Sequence, residues 1–317
     1  MKIGITGGAG FIGTNLARRL LQAGHQVAVL DDFSTGLKSN VQNVDVELFE
    51  GSIEDKKIVT DFVKSVERIV HLGARGSVPR SIRNPRATHS VNVGGTLELL
   101  EAARIEKKSM IFSSSSSVYG ANPVLPKEES QWALPMTPYA ASKLSGEAFC
   151  SAYSQSYDFN VLVFRFFNVF GPWQRPDHDY AAVLPKWIWA AMNDQPIIVH
   201  GDGEQTRDFT YVGTVLDVLE HAVMNDVRHV GPVNLAFGNR ISLNDALVLL
   251  KRQFPNLKVE HVDTRPGDVR NSQNDATLLR SLFPDVKPVP FEIALNETIE
   301  WLKAESAQIV NGPAVLD

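Results

Sequence analysis

Short, apolar, β-branched runs recur through the first half of this chain, with helix-period segments between them. Strands are predicted over residues 2–6, 26–31, 45–49, 68–72, 109–114 and 161–166. Helices are predicted over 11–23, 54–65, 85–107 and 137–157. Such alternation predicts an α/β fold, a doubly wound parallel sheet with ligands at the carboxyl ends of its strands. From about residue 170 the texture changes. Turn signals thicken at Gly171-Pro172, Gly201-Asp202-Gly203 and Arg265-Pro266-Gly267, and periodicity becomes irregular. The expected division is a main domain over 1–169 and a smaller C-terminal α/β lobe over 170–317. Residues 208–237 carry a helix-then-strand pattern and are expected to return to the main domain.

The first strand runs into Gly7-Gly8-Ala9-Gly10-Phe11-Ile12-Gly13 and then a helical pattern through Leu16, Leu20 and Leu21. Glycines at 7, 10 and 13, between a strand and a helix, let the backbone turn tightly and approach a pyrophosphate at the positive end of that helix. The second strand ends at Asp31, which is 31 − 13 = 18 residues past the last glycine. That is close to the roughly 20 residues expected for a carboxylate binding the adenosine ribose. A carboxylate there repels a 2′-phosphate, so the expected cofactor is NAD rather than NADP, on a Rossmann-type domain.

Bulk properties narrow the partners. The 317 residues carry a net charge of −5 with no basic stripe, so nucleic acid is not an expected partner. One cysteine, Cys150, excludes an internal disulfide and suits a reducing compartment. No charged leader or long apolar span follows Met1, so the expectation is a cytoplasmic protein without a membrane partner. No metal site is expected.

Candidate chemistry centres on Tyr139 and Lys143, four residues apart and therefore on one helical face. A free phenol, with a pKa of about 10, is a poor base at neutral pH. A nearby cation favours the phenolate, and such a pair can take a proton from an alcohol while a hydride leaves the same carbon. The serine run 113–117 directly follows the buried strand Met110-Ile111-Phe112, where a doubly wound sheet presents ligand groups.

Taken in order, the motifs resemble the extended short-chain dehydrogenase/reductase family, in particular its nucleotide-sugar epimerases. They are Thr6–Gly13, Asp31-Asp32-Phe33-Ser34-Thr35-Gly36, His71-Leu72-Gly73-Ala74 and Asn92-Val93-Gly94-Gly95-Thr96. Ser113-Ser114-Ser115-Ser116-Ser117-Val118-Tyr119-Gly120, the Tyr139/Lys143 pair, Arg165–Pro172 and Gly201–Phe209 follow. The resemblance covers nearly the whole chain. It implies that Ser115 hydrogen-bonds the reacting sugar oxygen with Ser117 beside it. Tyr139 would be base and then acid, and Lys143 would bind the nicotinamide ribose. NAD contacts would come from Gly7, Gly10, Phe11, Ile12, Gly13, Asp31, Asp32, Ser34, Thr35, Gly36, Ser52, Ile53, Leu72, Ala74 and Asn92. Two departures stand out. Gly51-Ser52-Ile53 has serine where relatives often have aspartate, and Gly213-Thr214 replaces two acids.

For the substrate, the resemblance implies a UDP-sugar. Asn168, Arg207 and Arg265 would hold the diphosphate, Asp268 the ribose, and Ser77 would line the pocket. The segments 76–82, 180–187 and 266–273 resemble UDP-N-acetylglucosamine 4-epimerases. By that resemblance Ser272 stands behind C2 of the sugar, where a small residue leaves room for an acetamido group. The implied reaction is 4-epimerisation through a 4-keto sugar. UDP-glucose or UDP-uronic acid epimerisation, a dehydratase reaction, and a non-catalytic binding regulator are the alternatives. The residues Ser115-Ser116-Ser117 stand where a 4,6-dehydratase carries Thr-Asp-Glu, which disfavours elimination. The resemblance also implies a homodimer through the helices near 85–107 and 137–157, with Leu99, Ala102, Ala148 and Ala152 at the contact.

Overall fold

The computed structural model describes residues 1–176, 181–264 and 270–310, and the side chains of 306–310 fall outside the description. Six strands come from the first half of the chain: β1 (Lys2–Thr6), β2 (Gln26–Asp31), β3 (Glu47–Glu50), β4 (Arg68–His71), β5 (Met110–Ser115) and β6 (Val161–Phe166). With the later strand Pro232–Leu235 they form one parallel sheet in the order Pro232–Leu235, β6, β5, β4, β1, β2, β3. The chain winds outward from β1 to β3, then restarts at β4 on the other side of β1. That reversal opens a crevice between the carboxyl ends of β1 and β4.

Helices cover both faces, as an all-parallel sheet requires. On one face α1 (Phe11–Gln22) packs with the later helix Val212–Asn225 through Leu16, Leu20, Val215 and Leu219, all buried against Ile3, Ile5 and Val29. The other face is covered by α3 (Lys56–Ser65), α6 (Thr96–Ile105) and α7 (Pro138–Tyr157), which bury Phe62, Leu99, Ala103 and Cys150 against Leu30, Ile69 and Phe112. Burial of Leu99 and Ala102 in the subunit's own core corrects the expectation that they form a dimer contact. Ala148 and Ala152 of α7 are exposed.

After α4 (Val78–Arg83), the helix predicted over 85–107 runs unbroken from Pro85 to Ile105. Its middle, Ser90–Gly95, is a π-helix between α5 (Pro85–His89) and α6. Asn84 caps α5 by accepting from Ala87 N–H at 3.1 Å, and Pro85 at the first helical position needs no donor. Such π turns recur at functional sites, and this one carries Asn92.

A further hydrophobic core is built from later segments of the chain. Trp187 and Ile188 pack with Leu243, Leu250, Leu295 and Leu302 around the parallel pair Ile197–His200 and Val259–Val262. No helix among the described residues is long and apolar enough to cross a membrane.

Candidate active site

The crevice begins at the glycine turn. Gly7 has φ +70, and a Cβ there would stand 2.7 Å from Gly73 N. A Cβ on Gly13 would collide with the Gly7 carbonyl, so glycine lets α1 pack this close to the loop. The N-cap of α1, Gly10, offers no side-chain acceptor, and no acidic residue occupies the first turn. Those first N–H groups and the helix dipole suit an anion. The loop is braced by Asn40, whose Nδ2 donates to Ala9 O at 2.9 Å. From here a cavity of about 470 Å³ runs to the catalytic candidates. It is lined by Gly7, Gly10, Phe11, Ile12, Gly13, Thr35, Gly36, Leu72, Ala74, Ser77, Ser115, Tyr139 and Lys143. An adjoining cleft is lined by Asp31, Asp32, Ser34, Thr35, Ile53, Leu72 and Ala74, giving one continuous trough.

At the adenosine end the aspartate has a second task. Asp31 is 8 % exposed, and its carboxylate accepts from Ala9 N–H at 2.9 Å and Phe33 N–H at 2.8 Å. Burial raises its pKa, against the pull of those two donors. A carboxylate has lone pairs beyond these two, so the residue can brace the glycine loop and still face the cleft. Asp32 accepts from the N–H and hydroxyl of Ser34, fixing the following turn. Ile53 lines the cleft, whereas the Ser52 hydroxyl accepts from Glu54 N–H at 3.2 Å and contributes no wall.

The catalytic candidates meet because β5 ends where α7 begins to pass over it. Thr137 caps α7 by accepting from Ala140 N–H at 3.2 Å, and Pro138 occupies the first turn. Tyr139 and Lys143 then project one turn apart toward the end of β5. Ser115 is the last residue of that strand, and it lines the same cavity as the Tyr139 side chain. Ser117 donates its hydroxyl to Ser115 Oγ at 2.9 Å. Lys143, 5 % exposed, donates to the Ser113 carbonyl at 2.7 Å. Burial lowers its pKa to about 8, opposed by Cys150 and Glu147, so at neutral pH it is still mostly an ammonium. Burial raises the Tyr139 pKa and the Ser115 hydrogen bond opposes the rise.

Beneath this group lies a buried ion pair. Glu147 on α7 accepts two hydrogen bonds from Arg165 on β6, at 2.9 and 2.7 Å, and a short one from the Ser114 hydroxyl. The guanidinium also lies 4.7 Å over the Tyr119 ring. The pair ties β5, β6 and α7 together directly below Ser115 and Lys143.

Other expected residues lie apart from the cavity. Asn92 is behind its wall: Oδ1 accepts from Arg75 N–H at 2.7 Å and Nδ2 donates to Ser142 Oγ at 2.9 Å. Asn168 is exposed, with its Nδ2 on the Asp208 carbonyl at 3.3 Å. Arg207 donates to the Thr206 carbonyl at 2.9 Å, and Ser272 N–H donates to that same carbonyl at 3.0 Å. None of Asn92, Asn168, Arg207 or Ser272 is among the described cavity-lining residues. Arg265 and Asp268 lie outside the described residues. Asp208 holds this region together, accepting from the N–H groups of Asn274, Asn239 and Gly238 at 3.0, 3.1 and 3.1 Å. Burial nonetheless pushes its pKa up to about 7.

Several cavity residues escaped the sequence reading. Arg80 enters from α4, and Trp173, Gln174 and Arg175 enter from an irregular segment. That segment is pinned to α1, with Asn15 Nδ2 donating to Pro172 O at 2.9 Å and Arg18 lying 4.3 Å over the Trp173 ring. Both stretches lie inside or beside motifs visible in the sequence, at 76–82 and 165–172. Their signal was a cation or aromatic ring close to a motif glycine.

A glycine turn at the switch point, a carboxylate at the end of β2 and Ser115, Tyr139 and Lys143 in one cavity agree with the extended short-chain dehydrogenases/reductases. Residues 3–236 match the NAD dependent epimerase/dehydratase family, and the chain belongs to it. It is therefore an NAD-dependent enzyme of the nucleotide-sugar class. The UDP-glucose 4-epimerase of Mycolicibacterium smegmatis is 32% identical over 324 residues, covering 96% of this chain and 100% of that protein. The structure of a UDP-N-acetylglucosamine 4-epimerase from Methanobrevibacter ruminantium M1, in complex with UDP-N-acetylmuramic acid, superposes with a TM-score of 0.90. The two are 33% identical, with 96% of this chain and 98% of that one covered. A UDP-glucuronic acid 4-epimerase from Bacillus cereus, in complex with UDP-glucuronic acid and NAD, gives a TM-score of 0.87 at 27% identity, covering 96% and 99%.

Proposed function

We propose that this protein is a 4-epimerase of UDP-N-acetylglucosamine and UDP-N-acetylgalactosamine. The observation that carries the reading is the placement of Ser115, Tyr139 and Lys143 in one cavity with the glycine turn. Such a site brings an alcohol carbon, a proton acceptor and a hydride acceptor together. NAD, held by the glycine turn and the trough, would supply the hydride acceptor for C4 of the sugar. Tyr139 takes the C4 hydroxyl proton, and Ser115 donates a hydrogen bond that supports the phenolate and orients the sugar oxygen. Lys143 keeps a positive charge beside the reacting groups. The 4-keto sugar turns to present its other face, and Tyr139 returns the proton, inverting C4. Asp31 favours NAD over NADP. The N-acetyl assignment rests on the small side chain of Ser272, as the motif resemblance places it.

A second reading is 4-epimerisation of a UDP-uronic acid. Three cations, Arg80, Lys143 and Arg175, line the cavity, and no Asp or Glu is among its described lining residues. A sugar carboxylate suits that charge balance. The exposed α7 face with Ala148, Phe149 and Ala152 supports assembly into a homodimer.

The reaction type is tested with UDP-sugar deuterated at C4. Intramolecular return of the label gives product that keeps deuterium at C4. Wash-out of the label into water would rule out the hydride path and point to proton abstraction at carbon.

A further inference from the structure

Behind the cleft wall stands a buried histidine that the proposed chemistry leaves unused. His71, the last residue of β4, is 1 % exposed and is the register partner of Thr6, the last residue of β1. Its Nδ1 lies 2.6 Å from Thr6 Oγ1 and its Nε2 lies 2.9 Å from Thr96 Oγ1. The outer bonds fix the direction of the inner ones. Thr96 donates its hydroxyl proton to the Asn92 carbonyl at 2.6 Å, so toward His71 it can only accept. The Nε2 nitrogen must therefore carry the ring proton. Nδ1 is then an acceptor, and Thr6 donates to it. Thr6 Oγ1 in turn accepts from Gly73 N–H at 3.1 Å. Every link is satisfied by one tautomer, running one way from Gly73 N–H to Asn92 C=O. Burial, with the nearby Lys143 charge adding to it, lowers the pKa of the ring to about 3 and keeps it neutral.

What the relay joins gives it meaning. Thr6 immediately precedes the Gly7 turn, and Gly73 is in the loop where a Cβ on Gly7 would strike backbone. Asn92, at the far end, holds Arg75 and passes a hydrogen bond to Ser142 Oγ. Ser142 donates to the Tyr139 carbonyl at 2.7 Å. We propose that His71 is a positioning residue: a neutral Nε2–H imidazole that fixes the pyrophosphate turn with its Nδ1 side and the Tyr139 helix with its Nε2 side. The proposal rests on the reading of Tyr139 as the base, but its cofactor half does not depend on which sugar is turned over.

The two sides can be separated. In His71→Asn the amide oxygen reaches the Nδ1 place and keeps the Thr6 bond, while the Thr96 bond is lost. In His71→Gln the amide nitrogen reaches the Nε2 place and keeps the Thr96 bond, while the Thr6 bond is lost. One hydrogen bond corresponds to a factor of about ten. His71→Asn is expected to keep NAD affinity and lose about tenfold in kcat, with KM unchanged. His71→Gln is expected to bind NAD about tenfold more weakly, with the smaller loss in kcat at saturating NAD. Equal losses of both quantities in both variants, or no loss in either, overturn the proposal. If either variant fails to fold, Thr96→Val and Thr6→Val delete one hydroxyl each at constant shape and are expected to reproduce the two phenotypes. A direct readout needs neither sugar nor turnover. With nitrogen-15 histidine, the resonances that vanish in His71→Gln should be those of a neutral Nε2–H ring at neutral pH. An Nδ1–H ring or an imidazolium there contradicts the relay.

Discussion

The trough around the glycine turn and the region proposed to face the substrate are built in opposite ways. In the trough, several lining residues sit at the ends of regular elements. Gly7 follows β1, Asp31 ends β2, Leu72 follows β4, Ser115 ends β5 and Tyr139 opens α7. The sheet order brings them together, and local bonds such as Asp31 to Ala9 N–H fix them. On the substrate side, positions come from irregular segments far apart in the chain. Asp208 gathers Gly238, Asn239 and Asn274 by backbone hydrogen bonds, and the Ser272 segment is strapped to Thr206. The first arrangement is fixed by the sheet itself. The second can be changed a residue at a time, which suits the sugar-selecting role proposed for it.

The largest expected effect breaks the trough chemically. Tyr139→Phe removes only the phenolic oxygen, so the fold and bound NAD should persist. General acid–base groups contribute about 10²–10⁴-fold, and turnover should fall by that amount. Near wild-type turnover would remove Tyr139 from the mechanism.

The next breaks the same region mechanically. Arg165→Met leaves Glu147 buried and uncompensated beneath Ser115. Removing one partner of a buried pair costs roughly 3–5 kcal/mol. A sharply lower unfolding midpoint is expected, and an unchanged one would show that the pair braces nothing.

Legibility in the sequence followed the same divide. All six strands of the first half lie within about two residues of their expected places; five are apolar runs buried on both faces, which leaves a strong pattern, whereas the edge strand β3 is largely exposed. The helix expected over 85–107 runs unbroken from Pro85 to Ile105, and the sequence did not reveal its π turn. Its helical periodicity is real, but the π turn that carries Asn92 onto Arg75 is a tertiary arrangement with no periodic signature. Glycine spacing and the Tyr139/Lys143 interval located the trough because they are local. Arg80, Trp173 and Arg175 reach the cavity only through packing between segments, such as Trp173 on Arg18, which spacing alone does not encode.

A smaller effect sharpens the substrate side. If Ser272 leaves room behind C2, Ser272→Tyr should fill it. Overpacking costs about 1–3 kcal/mol, or about one to two decades of kcat/KM for the N-acetyl sugar. UDP-glucose should be largely spared, and equal losses on both sugars would show that Ser272 is not the gate. The smallest effect lies at the adenosine end. Asp31→Ala should relax the preference for NAD over NADP, with some weakening of the glycine loop it braces. A wild-type enzyme that takes NADP equally well would contradict the ribose role of Asp31.

The central claim is tested most directly by offering purified protein UDP-N-acetylglucosamine, UDP-glucose and UDP-glucuronic acid separately and resolving the C4 epimers by NMR. The account predicts that UDP-N-acetylglucosamine is converted to UDP-N-acetylgalactosamine at least as efficiently as UDP-glucose is epimerised, without added NAD. Epimerisation of UDP-glucuronic acid alone would overturn the N-acetyl assignment in favour of the uronate reading. Absence of any C4 epimer from all three, with NAD bound, would contradict the account.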